Sequence, residues 1–305
     1  MLRVAVVTED PGWHGAELKR AFRARRIGTR FLSLRHCRFD LVRGCRGIVM
    51  PGFAERLPDG VFVRGVPGGT LEQVVLRLDF LHALRELGIP VYNDGRAIEK
   101  TVDKGMTSFL LKRSGVPTPP TWVCEDMAEA RALLMRETAA GHDVVAKPLF
   151  GSQGVGVRRL KAGDSVPDES ECHGAWYLQR YLESSPDGAS GWHDWRVLVI
   201  GGVPVSAMAR HGRTWINNVA QGARCEAAEL GDDLGRTAAD AARAVGADYA
   251  GVDLMRGRDG VLQVIEVNGI PAWRGLQRVT GFNIAERLVD DFVTRHLTRP
   301  LEAVC

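Results

Sequence analysis

Two stretches late in the chain, Gly251–Leu254 (GVDL) and Val261–Gly269 (VLQVIEVNG), decide how the rest is read. Each is an apolar, strand-like run that carries a carboxylate, Asp253 in the first and Glu266 in the second. Asn268 follows Glu266 by two residues, so strand alternation puts both side chains on one face. Two carboxylates and an amide oxygen make an all-oxygen site. That set suits Mg²⁺ holding substrate phosphates rather than zinc or copper. An acid inside a Val/Ile-rich strand is costly to bury unless something pairs with it. Taken singly, either acid reads equally well as a strand-end residue bonded to loop amides.

Upstream, Asp143–Lys147 (DVVAK) reads as a strand that ends on Lys147, and Pro148–Val157 (PLFGSQGVGV) follows it. A glycine loop at Gly151, Gly154 and Gly156 can close its backbone N–H groups over phosphates while a lysine supplies a point charge. The spacing is not that of a Walker A loop, which needs Gly-Lys-Ser/Thr entering a helix. It is not a dinucleotide fingerprint either, because strand-like sequence follows where a helix is required. A β-hairpin with glycine turns accounts for the loop equally well. Lys104, beside Asp103 in a helical stretch, reads in isolation as an exposed helical lysine.

Residues 2–8 (LRVAVVT), 31–34, 47–50 (GIVM) and 89–92 (IPVY) read as strands, and 13–26 as a helix. Leu71–Leu87 reads as an amphipathic helix with Leu71, Val74, Val75, Leu78, Leu81, Leu84 and Leu87 at helical spacing. This alternation predicts a small open α/β domain over residues 1–96. Beyond it, 97–114 and 127–140 read as helices around a proline-rich connection, GVPTPPTW. WYLQRYL (176–182) reads as a strand, WRVLVIGG and VPVSAMA as a hairpin, 232–245 as an alanine-rich helix and 284–297 as a closing helix.

The whole composition sets bounds. The chain has 305 residues, of which 45% are hydrophobic and 25% charged, ordinary values for a soluble protein of two or three small domains. A net charge of +3 is too mild to argue for nucleic acid. The basic run Lys19–Arg26 carries Leu18, Phe22 and Ile27 at helical spacing and reads as a solvated helix face. Six scattered cysteines without CxxC spacing argue against a zinc site or a disulfide framework and fit a reducing, cytoplasmic setting. The first residues lack the pattern of a signal peptide. No run approaches the roughly 18 apolar residues of a membrane helix.

The motifs occur in a specific order: helix with DK, GVPTPP, VVAKPLFGSQGVGV, LQRYL, DWRVLVIGG, NN, GVDL, VIEVNG. In that order the chain resembles the ATP-grasp superfamily, and within it the RimK-type carboxylate–amine ligases, the α-L-glutamate ligases. The resemblance covers about residues 90–297. It implies an α/β fold of α+β lobes: a small pre-ATP-grasp domain (1–96), a central lobe with the glycine loop (97–182) and a C-terminal lobe with the Mg²⁺ site (183–305). Lys104 and Lys147 look like the lysines on the ATP phosphates, with Gly151, Ser152, Gly154 and Gly156 as the closing loop. Gln179, Arg180, Tyr181 and Leu182 look like the adenine-holding segment, and Asp194 like the acid near the ribose. Arg196 and Arg210 look like the residues that hold the acyl phosphate, and Asn217 and Asn218 like the end of the ATP-contacting segment. Asp253, Glu266 and Asn268 look like the ligands of Mg²⁺, two ions by resemblance, with Mn²⁺ as the alternative metal.

The implied reaction joins an amino acid, L-glutamate, to a cofactor-like acceptor of the pterin or furan type, or to a peptide terminus. A homo-oligomer is implied, with no nucleic acid and no membrane. The chain departs from the family's pattern at three places. Arg180 stands where an acid is usual, Ile216 replaces an arginine, and residues 219–223 (VAQGA) lack the basic residues of the substrate-facing stretch. Trp273 and Arg274, in the loop after Asn268, suit a flat or acidic acceptor, or equally a packed tryptophan beside a surface arginine. Two other readings stand beside the first. One is a ligase of another acyl class, acting on a carrier protein or of D-Ala–D-Ala type. The other is a nucleotide-binding module that has lost catalysis.

Overall fold

The structure, a computed structural model, describes residues 1–151, 154–183, 192–212, 214–216 and 222–297. The chain forms two compact units. The first comprises residues 1–98, 247–249 and the described residues from 269 onward; the second comprises 99–246 and 250–268. In chain order the elements are β1 (Arg3–Val7), α1 (Gly12–Ala24), β2 (Gly28–Leu32), β3 (Arg38–Phe39), β4 (Ile48–Val49), β5 (Gly60–Val63), α2 (Leu71–Glu86), β6 (Val91–Tyr92), α3 (Gly95–Val102) and α4 (Lys104–Arg113). They continue as β7 (Thr121–Cys124), α5 (Met127–Ala139), β8 (Val144–Lys147), β9 (Arg158–Leu160), α6 (Glu169–Cys172), β10 (Trp176–Arg180), β11 (Trp192–Ile200) and β12 (Val203–Gly212). The last are β13 (Arg224–Ala228), α7 (Asp232–Val245), β14 (Tyr249–Arg256), β15 (Leu262–Asn268), α8 (Arg274–Gln277) and α9 (Ile284–Phe292).

The first unit is built on a parallel sheet of order β2-β1-β5-β6. Val4–Val7 and Val61–Val63 are wholly buried, as a parallel strand covered on both faces requires. Phe22 of α1, Phe62 of β5, Tyr92 of β6 and Phe292 of α9 pack ring on ring at 5.2 to 6.2 Å. Each such burial contributes roughly 1.5–3 kcal/mol. Two expectations change here. The run GIVM supplies only β4, which pairs with β3 in a separate two-stranded ribbon. The strand beside β1 is instead GVFV of β5, a four-residue run too short to show a period. The buried face of α2 is Arg77, Phe80, Leu81 and Leu84, while Leu71, Val75 and Leu76 are exposed. Arg77 turns inward to donate to Pro67 O and Gly68 O, while of the expected stripe Leu78, Leu81, Leu84 and Leu87 pack on the core.

The second unit holds two sheets. One, of order β7-β10-β8-β9, is antiparallel throughout. Its Val144, Ala146, Trp176 and Leu178 face a core with Leu133 and Leu134 of α5. Alternation therefore turns Lys147, Tyr177 and Gln179 to the other face. The second sheet has the order β13-β12-β11-β14-β15, with the alanine-rich α7 supplying Ala238, Ala241, Ala242 and Val245 to the core. The stretch expected as one helix over 97–114 is two, α3 and α4. Asp103 interrupts it and caps the second helix by accepting from Met106 N at 2.9 Å, the preferred use of Asp at a helix start.

Two β-bulges set the second sheet. On β12, Val199 pairs with Pro204 but Leu198 pairs with Ser206, so Val205 is the extra residue. Pro204, which lacks an N–H for the ladder, sits beside it, a position that proline tolerates. On β15, Leu254 pairs with Val264 but Asp253 pairs with Glu266, so Ile265 is the extra residue. A bulge re-aims the side chains beyond it.

Candidate active site

The Mg²⁺ set of the sequence comes together on the five-stranded sheet. Asp253 and Glu266 are directly opposed across β14 and β15, and Asn268 is opposed by Gly251. All three side chains therefore share one face, in the register that the Ile265 bulge creates. Asn268 Nδ2 donates to Gly251 O at 3.4 Å, leaving Oδ1 for a cation. Among the described residues no group of three or more His, Cys, Asp or Glu gathers in a metal-holding arrangement. A cation here therefore rests on two carboxylates, one amide and the oxygens its ligand brings, a donor set that fits Mg²⁺.

The arginines sit on the same sheet. Asp194 and Arg196 are two apart on β11, and Arg210 of β12 stands directly across from Asp194. Arg196 grips Asp253 with both ends of its fork, Nε and Nη2 each 2.6 Å from a carboxylate oxygen. Arg210, 2% exposed, grips Asp194 at 2.7 and 2.5 Å and reaches Asp253 at 3.1 Å. Burial alone raises a carboxyl pKa, but the charges of Arg196 and Arg210 outweigh it at Asp253 and hold it below its ordinary value. At Asp194 burial wins over Arg210, and the Asp253 charge adds to the rise. Both oxygens of Asp194 are engaged by Arg210, so the structure makes it the residue that orients Arg210.

The lysines are held differently. Lys104 opens α4, and its Nζ donates to Gly151 O at 2.8 Å and Leu149 O at 3.4 Å, so lysine and glycine loop meet. Lys147 Nζ donates to Gln179 Oε1 at 2.7 Å. The other end of that amide donates to Thr121 Oγ1 and Tyr177 Oη at 3.1 and 3.0 Å, and Tyr177 Oη meets Ser108 Oγ at 2.9 Å. Burial pulls Lys147 down to about 8; Glu266 opposes the fall and Lys104 adds to it. Lys104 is likewise lowered by burial, against Glu266 and Asp103. Glu266 thus lies within electrostatic reach of both lysines. Gly154 and Gly156 have φ of +74° and +72°, and a Cβ on Gly156 would meet Pro148 Cγ at 2.8 Å, so that loop position requires glycine.

The stretch 179–182, expected to hold adenine, is split by strand alternation. Gln179 faces Lys147 and is 3% exposed, so its side chain serves the lysine. Arg180 points to the other face and holds buried Glu137 at 2.7 Å. The residue that stands where the resemblance implies an acid is therefore on the face opposite Lys147 and Gln179. Arg180 N donates to Pro120 O and Tyr181 N to Asp143 O; among the described residues the Leu182 amide has no hydrogen-bond partner. The Tyr181 ring lies under Arg159, 3.7 Å from the guanidinium carbon. Ser152, Asn217 and Asn218 lie outside the described residues. A cavity of about 700 Å³ opens beside Asp103, Gly105 and Leu149, but its walls include neither lysine nor carboxylate of this site. Thr121, Tyr177 and Ser108 were missed by sequence reading. Ser108, one helical turn after Lys104, was the one with a local signal.

The family model described as the RimK-like ATP-grasp domain matches residues 101–292. The tetrahydromethanopterin:alpha-L-glutamate ligase of Methanococcus maripaludis is 36% identical over 236 residues, 75% of this chain and 77% of the relative. The alpha-aminoadipate–LysW ligase LysX of Saccharolobus solfataricus is 27% identical over 216 residues, 68% of this chain and 75% of the relative. Among solved structures, the ATP-grasp ligase PsnB with a precursor variant, Mg and ADP matches with a TM-score of 0.73 and 23% identity. That match covers 96% of this chain and 98% of PsnB, a likeness of fold.

Proposed function

Because the chain belongs to the RimK-like ATP-grasp family, we propose that it is an ATP-dependent carboxylate–amine ligase. It adds L-glutamate to a small cofactor-like acceptor of the pterin or furan type, or to a peptide terminus. The observation that carries this reading is that Lys104 and Lys147 rest on neutral oxygens without carboxylate hydrogen bonds, while Asp253, Glu266 and Asn268 share one face of the β14–β15 pair. Such a pairing suits a nucleotide whose phosphates bring the missing negative charge. The 36% identical glutamate ligase favours the pterin-like acceptor. The more distant alpha-aminoadipate–LysW ligase favours the second reading, a ligase of another acyl class.

A carboxylate is a poor electrophile because its charge is shared by two oxygens. Transfer of the γ-phosphoryl group of ATP to a carboxylate oxygen gives an acyl phosphate and ADP. The amine then attacks the carbonyl carbon, the C–O bond to phosphate breaks, and amide and phosphate leave. The protein's part is positioning and charge neutralisation. Lys104 and Lys147 hold the phosphates, and the loop at 151–156 excludes water from the acyl phosphate. Arg196 and Arg210 offset the charge of the reacting carboxylate and phosphoryl groups. Asp253, Glu266 and Asn268 would hold Mg²⁺, which supplies Lewis-acid neutralisation of phosphate charge when bound. The central lobe over 97–182, the C-terminal lobe over 183–305, a second Mg²⁺, a homo-oligomer and a cytoplasmic setting complete the reading. No described helix is long and apolar enough to cross a membrane.

The test is ADP release and product mass, with Mg-ATP, each amino acid in turn and a small-molecule extract of the source cell. Glutamyl units gained by an extract component support the reading. Nucleotide bound with no ADP released in any mixture, including one with a candidate carrier protein, refutes it.

A further inference from the structure

The first unit has a site of its own. Its sheet runs β2-β1-β5-β6, so the chain leaves β1 for one neighbour while β5 lies on the opposite side. In an open parallel sheet such a reversal opens a crevice at the carboxyl ends of the two strands, the usual place for a ligand. His14 follows β1 and Arg64 follows β5. Trp273 and Arg274 come to the same place from the loop after β15. The Arg64 guanidinium lies over the Trp273 ring, 4.3 Å from its centroid. The His14 ring meets Trp273 edge-on at 4.6 Å, and its Nε2 accepts from Trp273 N at 3.1 Å.

Three observations point to an anion as the ligand of these groups. Trp273 is 1% exposed, yet its Nε1 and the Nε of Arg64 are buried without hydrogen-bond partners. Arg64 has one long hydrogen bond, 3.4 Å to Tyr249 Oη, whose own proton goes to Val63 O. Among the described residues neither Arg64 nor Arg274 has a carboxylate partner, and Glu9 of the neighbouring loop is taken by Ser33 and Arg35. The crowding of cations is felt by His14, which burial and then the charges of Arg64 and Arg274 hold down to about 4. As a neutral ring that accepts at Nε2, His14 has its Nδ1 proton left to donate.

We propose that Arg64 and Arg274, with the His14 Nδ1 proton, bind an anionic group, carboxylate or phosphate, carried by the acceptor substrate. The Trp273 face holds the Arg64 fork flat for it. The assignment of this anion to the acceptor rests on the ligase reading above; the anion site itself does not.

The experiment is isothermal titration of the full chain, first saturated with Mg-ADP to fill the nucleotide site, with sodium phosphate and separately with sodium glutarate. Wild type, Arg64→Gln, Arg274→Gln and Arg64→Lys are compared. The expected result is one equivalent bound of at least one probe. Arg64→Gln and Arg274→Gln each lower that affinity by about tenfold or more, with Arg64→Lys between. Phosphate preferred over glutarate marks a phosphorylated acceptor, and the reverse marks a carboxylate. Arg274 is exposed, so its variant keeps the test valid if Arg64→Gln does not fold. Neither probe bound by wild type, or wild-type affinity in both glutamine variants, overturns the inference. Mg-ADP binding in the same samples separates the two claims: ADP bound without anion sinks this inference alone, and anion bound without ADP sinks the ligase reading alone.

Discussion

Lys104 of α4 and Lys147 of β8, and Arg196 and Arg210 of the five-stranded sheet, are the cations of one candidate site, yet the two pairs are held in opposite ways. Arg196 and Arg210 form forked pairs with Asp253 and Asp194. Lys104 and Lys147 rest on neutral oxygens, two backbone carbonyls and the Gln179 amide. The arginines thereby fix geometry, since removing one partner of a buried pair strands the other. The lysines have no carboxylate hydrogen bond among the described residues, which leaves their charge for the phosphates of the proposed nucleotide. A cation's role in this site follows from what it is paired with in the free protein.

The sharpest way to break that comparison is at the carboxylates. Asp253→Ala and Glu266→Gln are each expected to lower turnover by about 10³-fold or more, if both hold the cation. They should part on stability. Asp253→Ala leaves Arg196 and Arg210 facing each other and should cost about 3–5 kcal/mol. Glu266 has no ion pair among the described residues, so its substitution should move Tm by less than about 2 °C. Thermal melts beside steady-state rates decide; equal melting losses would erase the distinction.

Next is Lys147→Met. Nucleotide affinity should fall about 10- to 100-fold, while unfolding stability stays level or rises, because an ammonium without a carboxylate hydrogen bond is removed from a buried place. A large loss of stability would put Lys147 with the arginines.

A third effect is on pH. Lys147 titrates near 8 in the free protein, and phosphates must raise that value by stabilising the ammonium. Affinity for ADP should therefore be level below about pH 8 and fall up to about tenfold per unit above it, until the pKa of the bound form is passed. The sign for stability is the reverse. The native state loses this proton before the unfolded chain does, so the penalty is complete below about 8 and is relieved as pH rises towards 10.5, the lysine's ordinary value. Lys147→Met should flatten both profiles.

The smallest expected change is at Arg180. Arg180→Ala should leave nucleotide affinity within about twofold while costing about 1–3 kcal/mol at Glu137, which keeps only Arg136 as a partner. A marked loss of affinity would show that its side chain reaches the nucleotide.

The parts of this site that were legible are those that depend on short range. Glu266 and Asn268 share a face because they are two apart on a strand, and the hairpin through Gly201-Gly202 was plain from its glycines. The parts that were not legible depend on register. Counting back from that turn without the Val205 bulge sets Asp194 opposite Ala209; with it, Arg210 stands there. Asp103 as a helix cap was readable from its type alone, yet the helical pattern on both sides hid it. The inward turn of Arg77 depends on two loop carbonyls that α2's own pattern does not announce. GVFV of β5 carried its burial without a period to declare it.

The two bulges have a consequence for how such a chain can vary. Ile265 and Val205 touch none of the chemistry, and each tolerates replacement by a residue of similar size. Deletion of Ile265 would bring Val264 and Glu266 together on β15, still opposite Leu254 and Asp253, so the ladder closes with its pairs kept and only the local bend of the bulge is lost. An added residue between Glu266 and Asn268 is the change that would matter, because it turns Asn268 to the opposite face and away from Glu266.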